Sequence, residues 1–154
     1  MKRFYSICIF LLLIGETFTG MAAEWQWSVR IPSMISQETE AHPQAFLWIP
    51  AGCKRVKAVA VGQHNMCEET LFENPVFRRR MQEAGIALVW ITPILDFPWN
   101  VNTGCNDALL TALDSLAETS GYDELKVAPI VPVGHSAMAT FPWNFAEWNP
   151  ERAL

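Results

Sequence analysis

Ile130-Val131-Pro132-Val133-Gly134-His135-Ser136-Ala137-Met138-Ala139 is the stretch whose reading decides the fold. It opens as a short, largely β-branched apolar run, as expected of a strand covered on both faces. Gly134 then leads into small residues that begin a helix. A serine between strand and helix requires a very tight turn, so its neighbours two positions away must be small. Gly134 meets that requirement upstream. Downstream the pattern asks for glycine and the chain has Met138, which is expected to crowd the turn.

Working outward, residues 56–61 and 86–91 are also near-continuous apolar runs. Trp25, Trp27, Val29 and Ile31 alternate with Gln26, Ser28 and Arg30, the period of a half-buried strand. Phe46-Leu47-Trp48-Ile49, closed by Pro50-Ala51-Gly52, is a further strand, antiparallel to the first. Two helical patterns separate the later runs. Asn74-Pro75 supplies an N-cap and a first-turn proline, Phe77, Met81 and Ala84 share one face, and Gly85 is a stop. Leu109, Leu110, Leu113, Leu116 and Ala117 form the stripe of the second, over 106–119, with Asp107 at its positive end and Gly121 closing it. The order predicts an α/β domain, a three-layer, mostly parallel sheet of about five strands with right-handed crossover helices. Arg78, Arg79 and Arg80 are expected on a solvated helix face. Pro132, which donates no ladder bond, and Pro142, six residues past Ser136, strain this scheme, and a bulge and a restarted helix would absorb them.

The 154 residues suffice for one domain. At 51% apolar and 18% charged they exclude a disordered or collagen-like chain. Sixteen acidic residues against 11 basic, with no basic run beyond Arg78-Arg79-Arg80, argue against a nucleic-acid partner. Lys2 and Arg3, the apolar residues 7–14 and Thr19-Gly20-Met21-Ala22-Ala23 follow the order of a secretory signal peptide over 1–22. Its apolar run is too short to span a bilayer, so no membrane span is expected once it is removed. The domain then occupies 23–154, in the periplasm or outside the cell. Loss of Lys2, Arg3 and Glu16 leaves 9 basic and 15 acidic residues.

Export permits a disulfide. Of Cys53, Cys67 and Cys105, the pair Cys67–Cys105 is expected because both would sit in loops on one sheet edge, leaving a spare thiol. No C-x-x-C or paired histidine suggests a metal, and no cofactor is implied.

Through Gly134-His135-Ser136-Ala137, and through Val61-Gly62-Gln63-His64-Asn65-Met66 after the third strand, residues 45–150 resemble the α/β-hydrolase superfamily, specifically its secreted serine esterases. The resemblance implies Ser136 as nucleophile and the Ala137 N–H as one oxyanion donor. A second donor would come from His64, Asn65 or Met66. Removing one such donor typically lowers the rate about 10²–10³-fold. The loop lacks the usual His-Gly pair, so the choice of donor stays open. His135 occupies the variable position of the elbow, where the resemblance implies packing or substrate contact. His64 either shapes its loop or touches substrate, and Asp96, after the fourth strand, is either a loop carboxylate or a substrate contact. His42 precedes a proline in an edge loop, apart from this rim.

The resemblance also implies a triad in the order Ser, Asp or Glu, His, because serine needs an imidazole to take its proton. Residues 137–154 hold no His and no Asp, only Glu147 and Glu151. The expectation is therefore an N-terminal portion of a longer hydrolase, inactive by itself, with Pro150-Glu151-Arg152-Ala153-Leu154 leading into a sixth strand. Otherwise the protein has lost catalysis or recruits His64 as base. Trp99, Trp143 and Trp148, with Asn100, Asn144 and Asn149, suit stacking on sugar rings and hence a polysaccharide ester or small-molecule ester substrate, although large rings are equally what a core contains. The competing function is a non-catalytic exported carbohydrate-binding or interaction module.

Overall fold

A computed structural model describes residues 25–154; the expected leader lies outside the described residues. Strands β1 (Trp27–Arg30), β2 (Gln44–Trp48), β3 (Ala58–Gln63), β4 (Ile86–Thr92) and β5 (Ile130–Val133) form one sheet in the order β1-β2-β4-β3-β5. Helices α1 (Glu68–Glu73), α2 (Pro75–Ala84), α3 (Cys105–Ser120) and α4 (Thr140–Trp148) complete it. The architecture is α/β, but the expectation of a mostly parallel sheet is corrected. β3 runs parallel to β4 and β5, whereas β2 runs antiparallel to both β1 and β4. The connection from β1 to β2 contains no helix, and only parallel neighbours require a crossover.

Strand alternation assigns the layers. Ala45, Leu47, Val59, Val61, Val89 and Ile91 pack with α3 and with Phe141 and Phe145 of α4. Trp48, Ala60, Leu88 and Trp90 pack with Phe72 of α1 and with Phe77 and Met81 of α2. Both faces are thus covered, which is why β3 and β4 read as unbroken apolar runs. Each fully buried Leu or Val contributes about 1.5–3 kcal/mol.

Asn74 caps α2 as expected, its side chain accepting from Val76 N at 2.9 Å and Phe77 N at 3.2 Å, and Gly85 ends it at φ 74°. Asn74→Ala is expected to lower stability by about 1 kcal/mol in a denaturant melt. Helix α1 was not foreseen, because six residues are too few to show a period. Arg78 departs from the solvated face. Its guanidinium carbon lies 5.1 Å from the Trp25 ring centroid and 5.2 Å from that of Trp48, and its Nε donates to Phe72 O at 2.7 Å. Arg79 and Arg80 are exposed.

Both prolines are accommodated without breaking the sheet. The Ile130 N–H donates outward to Arg152 O at 2.6 Å, and Leu154 N donates to Ile130 O at 2.8 Å, forming a parallel bridge between Ile130 and Ala153. Backbone polarity alternates along a strand, so Pro132, two residues on, also turns its nitrogen outward, away from β3. Pro142 is the third residue of α4, where an N–H would have no partner within the helix. A separate 3-10 turn, Ser136–Ala139, precedes α4, so the helix does restart. Among the described residues, no helix is long and apolar enough to cross a membrane.

Candidate functional site

β3 and β5 lie side by side, and their connections leave toward opposite faces, α1 on one and α4 on the other. In an open α/β sheet, that divergence opens a crevice at the carboxyl ends of the strands, the usual place for a ligand. The 63–66 loop forms one wall and the turn after β5 the other.

The turn is as tight as the sequence demands. Ser136 is exposed and holds φ at 52°, in the left-handed region that a side chain rarely adopts, while His135 before it is extended. A Cβ on Gly134 would lie 2.2 Å from the Met138 carbonyl oxygen and 3.0 Å from Pro142 Cδ, so only glycine fits. The expected crowding by Met138 takes another form. Its side chain turns into the interior, 3% exposed, and its backbone carbonyl closes the turn against Gly134. Met138 N, donating to His135 O at 3.0 Å, is the first bonded N–H of the 3-10 turn, and the Ala137 N–H lies ahead of it.

A buried carboxylate fastens the two walls together. Glu68, 1% exposed at the start of α1, accepts from His135 N at 2.6 Å, from Asn65 Nδ2 at 3.1 Å and from Cys67 N at 3.2 Å. Asn65 Nδ2 also donates to His135 O at 2.7 Å. The residue before Ser136 is thereby held at both its N–H and its C=O. Burial alone would raise the Glu68 pKa; the hydrogen bonds from Asn65, His135 and Cys67 outweigh it and hold the carboxyl below its ordinary 4.5. Gly62 belongs to the same assembly, since a Cβ there would meet Phe72 at 3.1 Å and Glu68 Cβ at 3.6 Å.

The remaining expected site residues divide sharply. Asn65 and Met66 stand at the rim, Met66 at 83% exposure, and the Asn65 amide is engaged by the clamp, so only backbone N–H groups are left to serve as oxyanion donors from this loop. His135 is exposed at the turn. His64 is directed elsewhere. Its Nδ1 pairs with Glu38 Oε1 at 2.5 Å and its ring lies edge-on to Trp90 of β4, on the side of β3 away from β5. Asp96 is 4% exposed and holds its own loop, its carboxylate accepting from Asn100 N at 2.8 Å. Trp99 is 1% exposed and packs on Phe141 at 4.4 Å between ring centroids, so its ring is not an open stacking face. Trp143 is 79% exposed on α4. Among the described residues, no histidine bonds the Ser136 hydroxyl; His42 Nδ1 contacts Met34 O at 2.7 Å.

The expected Cys67–Cys105 bridge is absent, and Cys53, Cys67 and Cys105 are free thiols. Cys105 is buried in the layer on the α3 face, whereas Cys67 precedes α1 on the other, so the sheet stands between them. Burial pushes the Cys105 thiol up to about 11, and its Sγ donates to Asn100 O at 3.3 Å. Among the described residues, no group of three or more His, Cys, Asp or Glu could hold a metal ion.

Glu68 is the residue that sequence reading missed. A glutamate in the loop after β3 carries no signal by itself, and only its burial reveals its role. Comparison with protein-family models, with curated proteins and with solved structures finds no match to this chain.

Proposed function

We propose that this chain is an exported serine hydrolase of the α/β-hydrolase kind, cleaving a carboxylic ester of a polysaccharide through an acyl-Ser136 intermediate. One observation supports it above the others: an exposed serine at positive φ directly after β5, in a turn closed so tightly that its glycine admits no Cβ. In this reading the Ser136 Oγ attacks the carbonyl carbon, and the Ala137 N–H with one N–H from Asn65 or Met66 stabilises the oxyanion. An imidazole supplied from outside the described residues takes the Ser136 proton and returns it to the leaving alkoxide, and water activated by the same imidazole then releases the acid from the acyl-serine.

The test is fluorophosphonate labelling of the exported protein expressed from its full reading frame, followed by mass spectrometry of its peptides. The adduct is expected on the peptide carrying Ser136, and Ser136→Ala should abolish both labelling and p-nitrophenyl acetate hydrolysis. An unlabelled Ser136 in folded protein overturns the reading. The second reading, a non-catalytic carbohydrate-binding or interaction module, is favoured by the exposure of Trp143 at 79% and Trp148 at 58%. Such a module would ignore both reagents and still retain polysaccharide.

A further inference from the structure

We propose that the groove between the 97–102 loop and α4 is a binding site for a neutral saccharide. The groove is a shallow, open depression of about 330 Å3 lined by Asn100, Asn102, Asn144, Glu147 and Trp148, with Trp99 beneath.

Three features define the ligand. Trp148 leaves its indole 58% exposed at the wall, an apolar plane suited to the C–H face of a pyranose ring. The polar groups come in both senses. Asn100 Oδ1 accepts from Asn102 N and Asn144 Nδ2 donates to Trp99 O, which leaves the Asn100 amino group and the Asn102 amide as donors. The Asn144 oxygen and the Glu147 carboxylate remain as acceptors. Vicinal hydroxyls, each both donor and acceptor, match that mixture. Finally, the buried Trp99 ring, 1% exposed and packed on Phe141, gives the groove a rigid apolar floor. Glu147 in the wall and the net charge of −5 disfavour a uronate chain, so the saccharide is neutral.

Trp148 ends α4, an axial rise of roughly 12 Å from Thr140, which itself lies four residues past Ser136. A ligand reaching both Trp148 and Ser136 is therefore a chain of several rings. That this groove presents an ester to Ser136 rests on the hydrolase reading; the saccharide site itself does not.

The test is native electrophoresis through gels cast with soluble arabinoxylan, galactomannan or mixed-linkage β-glucan, with polygalacturonate as the anionic probe. Retardation is expected in at least one neutral gel and not in polygalacturonate. Trp148→Ala should abolish it, and Asn102→Ala, on an exposed turn, should weaken it about tenfold, which keeps the test decisive if Trp148→Ala fails to fold. Val127→Ala, at an exposed residue that does not line the groove, should leave it unchanged. No retardation in any neutral gel, equal retardation by polygalacturonate, or full retardation of folded Trp148→Ala overturns the site. Retardation with an unlabelled Ser136 overturns the hydrolase reading alone. A labelled Ser136 with no retardation overturns the saccharide site alone.

Discussion

Gly134→Ala is expected to destabilise the protein by about 3 kcal/mol or more, at the top of the range for overpacking. The added methyl would lie 2.2 Å from the Met138 carbonyl oxygen and 2.8 Å from its carbon. Those are backbone atoms of a turn that runs straight into α4, so no rotamer change relieves the contact. Either the 3-10 turn opens or β5 shifts against β3. For a domain of this size the loss is a fall in Tm of roughly 10 °C, read by circular dichroism. Where the variant folds by opening the 3-10 turn, Ser136 moves with it, and on the proposed hydrolase reading fluorophosphonate labelling should fall more steeply than stability. A variant that melts within 2 °C or so of the wild type would show that the turn is looser than described.

Glu68→Ala is the second large effect. It strips the acceptor from the His135 and Cys67 N–H groups and from the Asn65 amide together. Hydrogen bonds to a charged group contribute roughly 1.5–3 kcal/mol each, and they are not additive within one cluster, so a total near 3–4 kcal/mol is expected. Glu68→Gln separates charge from shape, because it can keep the amide oxygen toward His135 N while losing the ionised acceptor. The pH dependence follows from the lowered pKa. In the unfolded chain the carboxyl titrates near 4.5, and in the fold it titrates lower. Its stabilisation is therefore complete above about pH 4.5 and is lost as pH falls through the folded value. Urea melts between pH 7 and pH 3 should show that acid limb in the wild type and a flatter one in Glu68→Gln. Parallel limbs would remove Glu68 from the account of the turn.

Much of the framework was legible in the residues. The five strands, the Asn74 cap and the Gly85 and Gly121 stops rest on local rules that tertiary contacts did not override. Strand direction was less legible, since a run such as 44–48 has the same composition whichever way its neighbours run. The serine turn could be read because glycine, an apolar strand and a following helix coincide in one short stretch. Its supports could not be read. Glu68 and Asn65 meet His135 across some 70 positions of sequence, and no spacing rule spans that distance. Trp99, Trp143 and Trp148 show the opposite limit, with like residues near like neighbours of which one is buried and two are exposed. The difference lies in which ring Phe141 and Phe145 take into the core.

The outward nitrogen of Pro132 has a consequence for how copies of this protein behave toward one another. A foreign extended segment that approached the flank of β5 which no described strand covers could bond to Ile130 only by displacing the contacts with 152–154, and midway along it would meet a position with nothing to donate. Proline there acts as a gatekeeper, denying fibrillar growth the unbroken template that a valine would have offered.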